Sequence, residues 1–112
     1  MKIAIIGAGP SGIAAGHELL KQGFKDFPLF DELDAPGGTW RQHSYPGLAC
    51  DVWAHSYTFS YAPNPDWSTS FVGYAEIQQY LADCCTSFGL DPHLKLNTSV
   101  TCARYLGSGK WS

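Results

Sequence analysis

Residues 3–12 read Ile3-Ala-Ile-Ile-Gly7-Ala-Gly9-Pro-Ser-Gly12, and this stretch decides the fold class. A short β-branched apolar run, of the kind that forms a buried parallel strand, stops at three glycines spaced GxGxxG. Downstream, Ile13, Gly16, Leu19, Leu20 and Phe24 recur on one helical face, and Gly23 supplies a stop. Phe27 to Phe30 then reads as a second strand, ending at the acidic pair Asp31-Glu32. Strand, glycine turn, helix, strand and acid together make a βαβ unit.

That order gives the glycines a job. Gly7 permits the tight turn out of the strand, Gly9 lets a backbone approach a diphosphate, and Gly12 lets helix and strand pack closely. The helix N-terminus offers free N–H groups and partial positive charge, and Ser11 adds a hydroxyl. Gly7, Gly9, Pro10, Ser11 and Gly12 are therefore the expected diphosphate contacts. Asp31 stands 24 residues beyond Gly7, where a carboxylate accepts from ribose hydroxyls and repels a 2′-phosphate. The first site suits FAD or NAD, with Glu32 the substitute if the strand register slips by one residue. The fold class expected is α/β: a partial Rossmann-like, FAD- or NAD-binding fold of three parallel strands plus the start of a β hairpin.

Residues 33–73 are rich in glycine, proline and aromatics with little periodicity, which predicts an ordered loop with short strands or turns. Ser56–Tyr61 alternates in a weakly strand-like way. Tyr74–Phe88 is the clearest helix, with Ile77, Tyr80, Leu81, Cys84, Cys85 and Phe88 on one face and Gly89 at its end. Leu94–Leu96 and Val100–Tyr105 read as strands, Gly107–Gly109 as a turn, and Lys110–Ser112 as a return strand.

Within the long loop, Gly37-Gly38-Thr39-Trp40, then Tyr45-Pro46-Gly47, then Asp51 stand at fixed spacing. This stretch resembles the fingerprint of the Baeyer–Villiger monooxygenases at all seven of its specified positions, a far more specific match than GxGxxG. The resemblance extends from the first strand through the helix ending at Phe88, and Val100 and Trp111 are similar to the family's strand and hairpin. It implies that Gly38, Thr39, Trp40, Asp51 and Tyr57 line an FAD site, with Val100 also at the cofactor. Leu48–Asp51 would border the arriving nicotinamide. The resemblance makes Asp51 the one candidate for a catalytic part, as a charge near the flavin.

The resemblance also implies the reaction. NADPH reduces FAD, molecular oxygen adds at flavin C4a, and the peroxyflavin oxygenates a ketone to an ester or lactone. Oxidation of an amine or sulfide is the alternative within the wider class, and a non-catalytic dinucleotide-binding piece is the alternative outside it. The family's catalytic arginine, its second dinucleotide fold and its His-Thr fingerprint are not in these residues. The chain thus reads as residues 1–112 of the N-terminal part of an FAD/NAD(P)-binding domain, with the NADPH domain and the rest of the FAD domain lying outside it. By itself it is expected to bind FAD poorly and to lack NADPH-dependent activity.

Composition narrows the classes further. Hydrophobic residues at 45% and charged residues at 15% suit a globular domain, and 112 residues suit one small domain only. A net charge of −3 without a basic stripe gives no reason to expect nucleic acid or an anionic membrane. No signal-peptide core or bilayer-length apolar run is present, so a cytoplasmic location is expected. Cys50, Cys84, Cys85 and Cys102 form neither a CxxC pair nor a metal spacing, and Cys84 and Cys85 read as buried reduced thiols. His17 is expected on a helix surface and Trp67 in packing, while the sequence identifies no partner for His43, His55 or His93.

Overall fold

The computed structural model describes residues 1–112. Strand β1 (Ile5–Ile6) leads through the glycine turn into helix α1 (Pro10–Lys21) and then β2 (Leu29–Phe30). A four-residue helix α2 (Thr39–Gln42) and the long helix α3 (Tyr74–Ser87) follow, then β3 (Leu94–Lys95) and a hairpin of β4 (Tyr105–Gly107) and β5 (Lys110–Trp111). The first three strands form one parallel sheet in the order β1-β2-β3, with Ile5 beside Leu29 and Leu29 beside Leu94. Although the strands are short, the ladder runs into the turns: the Gly7 N–H donates to the Phe30 carbonyl at 2.7 Å and the Asp31 N–H to Lys95 at 3.1 Å.

Helix α1 lies against the sheet because two of its residues have no side chain. A Cβ on Gly12 would sit 1.8 Å from the Gly7 carbonyl oxygen, and one on Gly16 would meet Leu90 Cδ2 at 2.7 Å. Helix α3 supplies the other wall. Its Ile77, Leu81, Cys84 and Cys85 are buried with Ile13, Phe27, Trp67, Val72 and Leu90 in one core. Each such large aliphatic side chain removed from water stabilises the fold by about 1.5–3 kcal/mol. Burial also raises both thiols, Cys85 to about 12, which keeps the pair protonated. Glycines at positive φ end both helices nearby, Gly23 after α1 and Gly89 after α3.

Several expectations change in the folded chain. Ile6 belongs by sequence to a buried strand, yet it is 62% exposed, because β1 has a neighbour on one side only and Ile6 points away from the core. Val100–Tyr105 does not form a strand along its length; antiparallel pairing covers Arg104 to Gly107 alone, and Val100 is exposed and outside any strand. The hairpin itself turns through Ser108 and Gly109, both at positive φ, the conformation that matches the twist of flanking strands.

Ser56–Tyr61 gives a 3₁₀ turn over Ala54–Ser56 and a single bridge between Phe59 and Ala62. The Tyr80 hydroxyl from α3 stands in for a partner strand, accepting from the Phe59 N–H at 2.9 Å and donating to the Ala62 carbonyl at 2.7 Å. His17 is half-buried, not on the surface, because its ring stacks on Tyr61 at 4.3 Å and tilts against Phe88 at 4.5 Å. The fold supplies the partner of His93 that the sequence leaves open: Nδ1 lies 2.9 Å from the Phe27 carbonyl while its ring stacks on Phe27.

Candidate cofactor site

All three parallel strands end on the same side, and the first two run straight into functional motifs. At those carboxyl ends a groove of about 310 Å³ opens, the place where parallel α/β sheets bind ligands. Gly7 comes from the β1 turn, Asp31 from the end of β2, Gly38 and Thr39 from the start of α2, and Val100 from the segment after β3. Five expected site residues thus meet although 93 positions separate the first from the last.

Asp31 is only 8% exposed. One carboxylate oxygen accepts from the Ala8 N–H at 2.6 Å, and the other from the Leu33 N–H at 2.8 Å. The acid therefore ties the end of β2 to the glycine turn. A carboxylate offers about four acceptor positions, so two remain for a ligand hydroxyl in the groove. Glu32 also borders the groove but is itself exposed.

The glycine turn and the second motif dock backbone to backbone. The Gly37 N–H donates to the Ala8 carbonyl at 2.9 Å. Gly38 (φ 55°, ψ −126°) approaches so closely that a Cβ on it would lie 2.9 Å from Gly9 Cα. Sequence reasoning gave Gly38 a close approach to a cofactor; what it approaches within the chain is Gly9. Gly9 caps α1 without any side-chain hydrogen bond, and Pro10 occupies the first turn. Ser11 is exposed at that same helix end. The amides there have no intrahelical acceptor, so the turn presents donors to an anion.

A second hollow of about 290 Å³ borders the same crossing and includes Pro10, Tyr57 and Thr58. Tyr57 belongs here and not to the groove. Its hydroxyl accepts from Trp40 Nε1 at 2.9 Å, and the two rings meet edge to face. Trp40 is half-buried against the core, so its indole links the second motif to the Tyr57 loop.

Asp51 stands apart from both hollows. Tyr45, Pro46, Gly47 and Asp51 are all exposed. The Leu48 N–H donates to the Tyr45 carbonyl at 3.2 Å and Gly47 has φ 84°, so Tyr45–Leu48 is a type II turn as its residues suggest. Beside Asp51, Val52 and Trp53 are exposed, as is Phe71 on the strand-like segment running back alongside.

Sequence reasoning missed Gln42, Thr98 and Ser99, which also line the groove. The Thr98 N–H donates to the Asp31 carbonyl at 2.8 Å, and Asn97 turns there with φ 53°. The only local signal was the Asn97-Thr98-Ser99 run, a polar turn directly after a strand.

A family model described as NAD(P)-binding Rossmann-like domain matches residues 5–74, more than half the chain. The chain belongs to this family. Among curated relatives, a Baeyer–Villiger monooxygenase of Streptomyces coelicolor is 44% identical over 100 residues, covering 89% of this chain and 19% of the relative. An FAD-binding monooxygenase of Aspergillus terreus is 37% identical over 115 residues, covering 99% of this chain and 20% of the relative. Among solved structures, cyclohexanone monooxygenase with ε-caprolactone bound superposes with a TM-score of 0.88 at 38% identity, over 98% of this chain and 22% of that one.

The chain thus spans about a fifth of the length of these relatives. For this Rossmann-like domain, both the α/β fold read from Ile3–Gly12 and the Baeyer–Villiger resemblance read from Gly37–Asp51 are borne out.

Proposed function

We propose that this domain holds FAD for an NADPH-dependent monooxygenase that inserts an oxygen atom from molecular oxygen beside a ketone carbonyl. The observation carrying this reading is the groove that gathers Gly7, Asp31, Gly38, Thr39 and Val100 from four separate segments. The donor set fits the cofactor: uncapped amides at the start of α1 for the diphosphate, and a carboxylate with free acceptor positions for a ribose. At about 310 Å³ the groove is at the small end of ligand pockets and suits the adenosine end of a dinucleotide. Bound flavin supplies the oxygen-activating chemistry, and NADPH the reducing equivalents.

In this reading Gly7, Gly9, Pro10, Ser11 and Gly12 cradle the diphosphate, Asp31 holds the adenosine ribose, and Val100 covers the nucleotide. Gly38 and Thr39 keep the chain low beside the cofactor, and the paired Trp40 and Tyr57 make one side of its path toward the second hollow. Asp51, exposed with Val52 and Trp53, faces the region where the ring and nicotinamide meet the rest of the enzyme. A ketone substrate is favoured over an amine or sulfide because the structural relative carries cyclohexanone in its name and holds a lactone. No helix is long and apolar enough to cross a membrane, and the four cysteines are free, which suits a cytoplasmic setting.

The test is a chimera in which this chain replaces the matching segment of the Streptomyces relative. The expected result is retained FAD and ketone-dependent NADPH oxidation, with FAD lost on Asp31→Ala. A folded chimera that never takes up FAD, or one that oxygenates amines and sulfides but no ketone, would overturn the proposal.

A further inference from the structure

The Gly37–Gly38 segment touches the phosphate turn on one side; its other side rests on helix α3. There Gln78 Nε2 donates to the Pro36 carbonyl at 3.0 Å, joining residues 42 positions apart. Gln78 is half-buried, and Pro36 and Gly37 are buried. A Cβ on Gly37, which has φ 139°, would sit 3.0 Å from Gln78 Cγ. The Gln78 stem thus fills the space next to Gly37 while its amide holds the preceding carbonyl.

The next link is direct. Gly37 donates to Ala8 at 2.9 Å, and Gly38 abuts Gly9. A continuous path runs from the α3 side chain through two glycines to the turn that faces the diphosphate. Of the other side-chain ties on this loop, Trp40–Tyr57 leads toward the second hollow, and the Arg41–Asp34 pair lies in solvent, where an ion pair contributes little. Gln78 makes no part of the groove wall, so its action on a ligand passes through the loop.

We propose that Gln78 is a positioning residue for the FAD site, setting the height of the Gly37–Gly38 backbone against the phosphate turn; this rests on the flavin reading above. The experiment measures FAD affinity in the chimera described above, together with hydrogen exchange of the Gly37 amide in this chain in the absence of FAD. Gln78→Met keeps the stem and removes the donor; Gln78→Lys restores one. The Met variant is expected to weaken FAD about fivefold and speed Gly37 exchange by a similar factor, the usual worth of one hydrogen bond. Amides within α1 and α3 keep their protection, and the Lys variant recovers most of the loss.

Unchanged FAD affinity and unchanged Gly37 exchange in the Met variant overturn the proposal. So does faster exchange spread evenly through α1 and α3, which marks a general stability role. A folded chimera with Gln78 intact that takes up no FAD sinks the flavin reading instead, and the Gly37 exchange still decides whether Gln78 positions the loop.

Discussion

The two halves of the second motif lie fifteen residues end to end, yet they live in different physical settings. Gly37–Trp40 is wedged between α3 and the phosphate turn, with Gly38 against Gly9 and Trp40 bonded to Tyr57. In the other half Tyr45, Pro46, Gly47 and Asp51 stand in solvent, with Gly47 meeting nothing and Trp53 69% exposed beside them, while Cys50 alone of this stretch is buried in the core. One half is a joint that builds the fold. The other is tied to the fold through the buried Cys50 and the backbone of Leu48 and Cys50, while its Tyr45 and Asp51 side chains are left in solvent. A motif read as one functional string is, in space, a structural clamp followed by an exposed turn.

This contrast is open to direct attack, beginning with the joint. Gly12→Ala forces a Cβ to 1.8 Å from the Gly7 oxygen. The loss should exceed ~4 kcal/mol and unfold the chain, seen as lost helical circular dichroism. A Gly12→Ala variant that stays folded would mean α1 can lift off the sheet.

Next comes a matched pair of glycines. Gly38→Ala meets both an unfavourable φ of 55° and Gly9 Cα at 2.9 Å. Gly47→Ala meets only the φ of 84°. Urea titration should show a loss of about 2–5 kcal/mol for the first and about 1 kcal/mol for the second. Equal losses would erase the distinction between joint and surface.

Alkali probes the packed side without mutation. An exposed thiol ionises near 9.0, whereas burial pushes Cys85 to about 12. Between those values the unfolded chain binds fewer protons than the folded one, so stability falls as pH rises. The expected slope is up to about 1.4 kcal/mol per pH unit above about pH 9. Cys85→Ala should flatten it in pH-dependent melting.

Tyr57→Phe removes the acceptor for Trp40 Nε1 and should cost about 1 kcal/mol, with a change in Trp fluorescence. Smallest of all, Asp51→Asn should leave stability within about 0.5 kcal/mol, since Asp51 is exposed and bonded to nothing nearby. A large loss there would show that the Asp51 side chain, too, holds the fold.

How much could be read in advance follows the same division. Helix α3 was legible almost to the residue, because Ile77, Leu81, Cys84 and Cys85 repeat at helical spacing and all four are buried. The glycine turn was legible because only glycine tolerates a neighbour at 1.8 Å. His17 was misread, since its stacking partners Tyr61 and Phe88 are 44 and 71 residues away and helical spacing is blind to them. Val100–Tyr105 was overread, because β-branched composition favours a strand but cannot supply a neighbouring chain to pair with.

By itself, the order of residues settled the βαβ unit, the turn glycines, the acid at the end of β2 and the motif that names the chain's relatives. These rest on local sterics and short-range periodicity, which a linear string carries in full. Only the tertiary structure decided that Gly38 packs on Gly9, that Asp31 binds the Ala8 amide, that Thr98 closes the groove and that Gln78 backs the loop. Each of those depends on atoms brought together from 23 to 67 positions apart, and such meetings are fixed by how the elements pack.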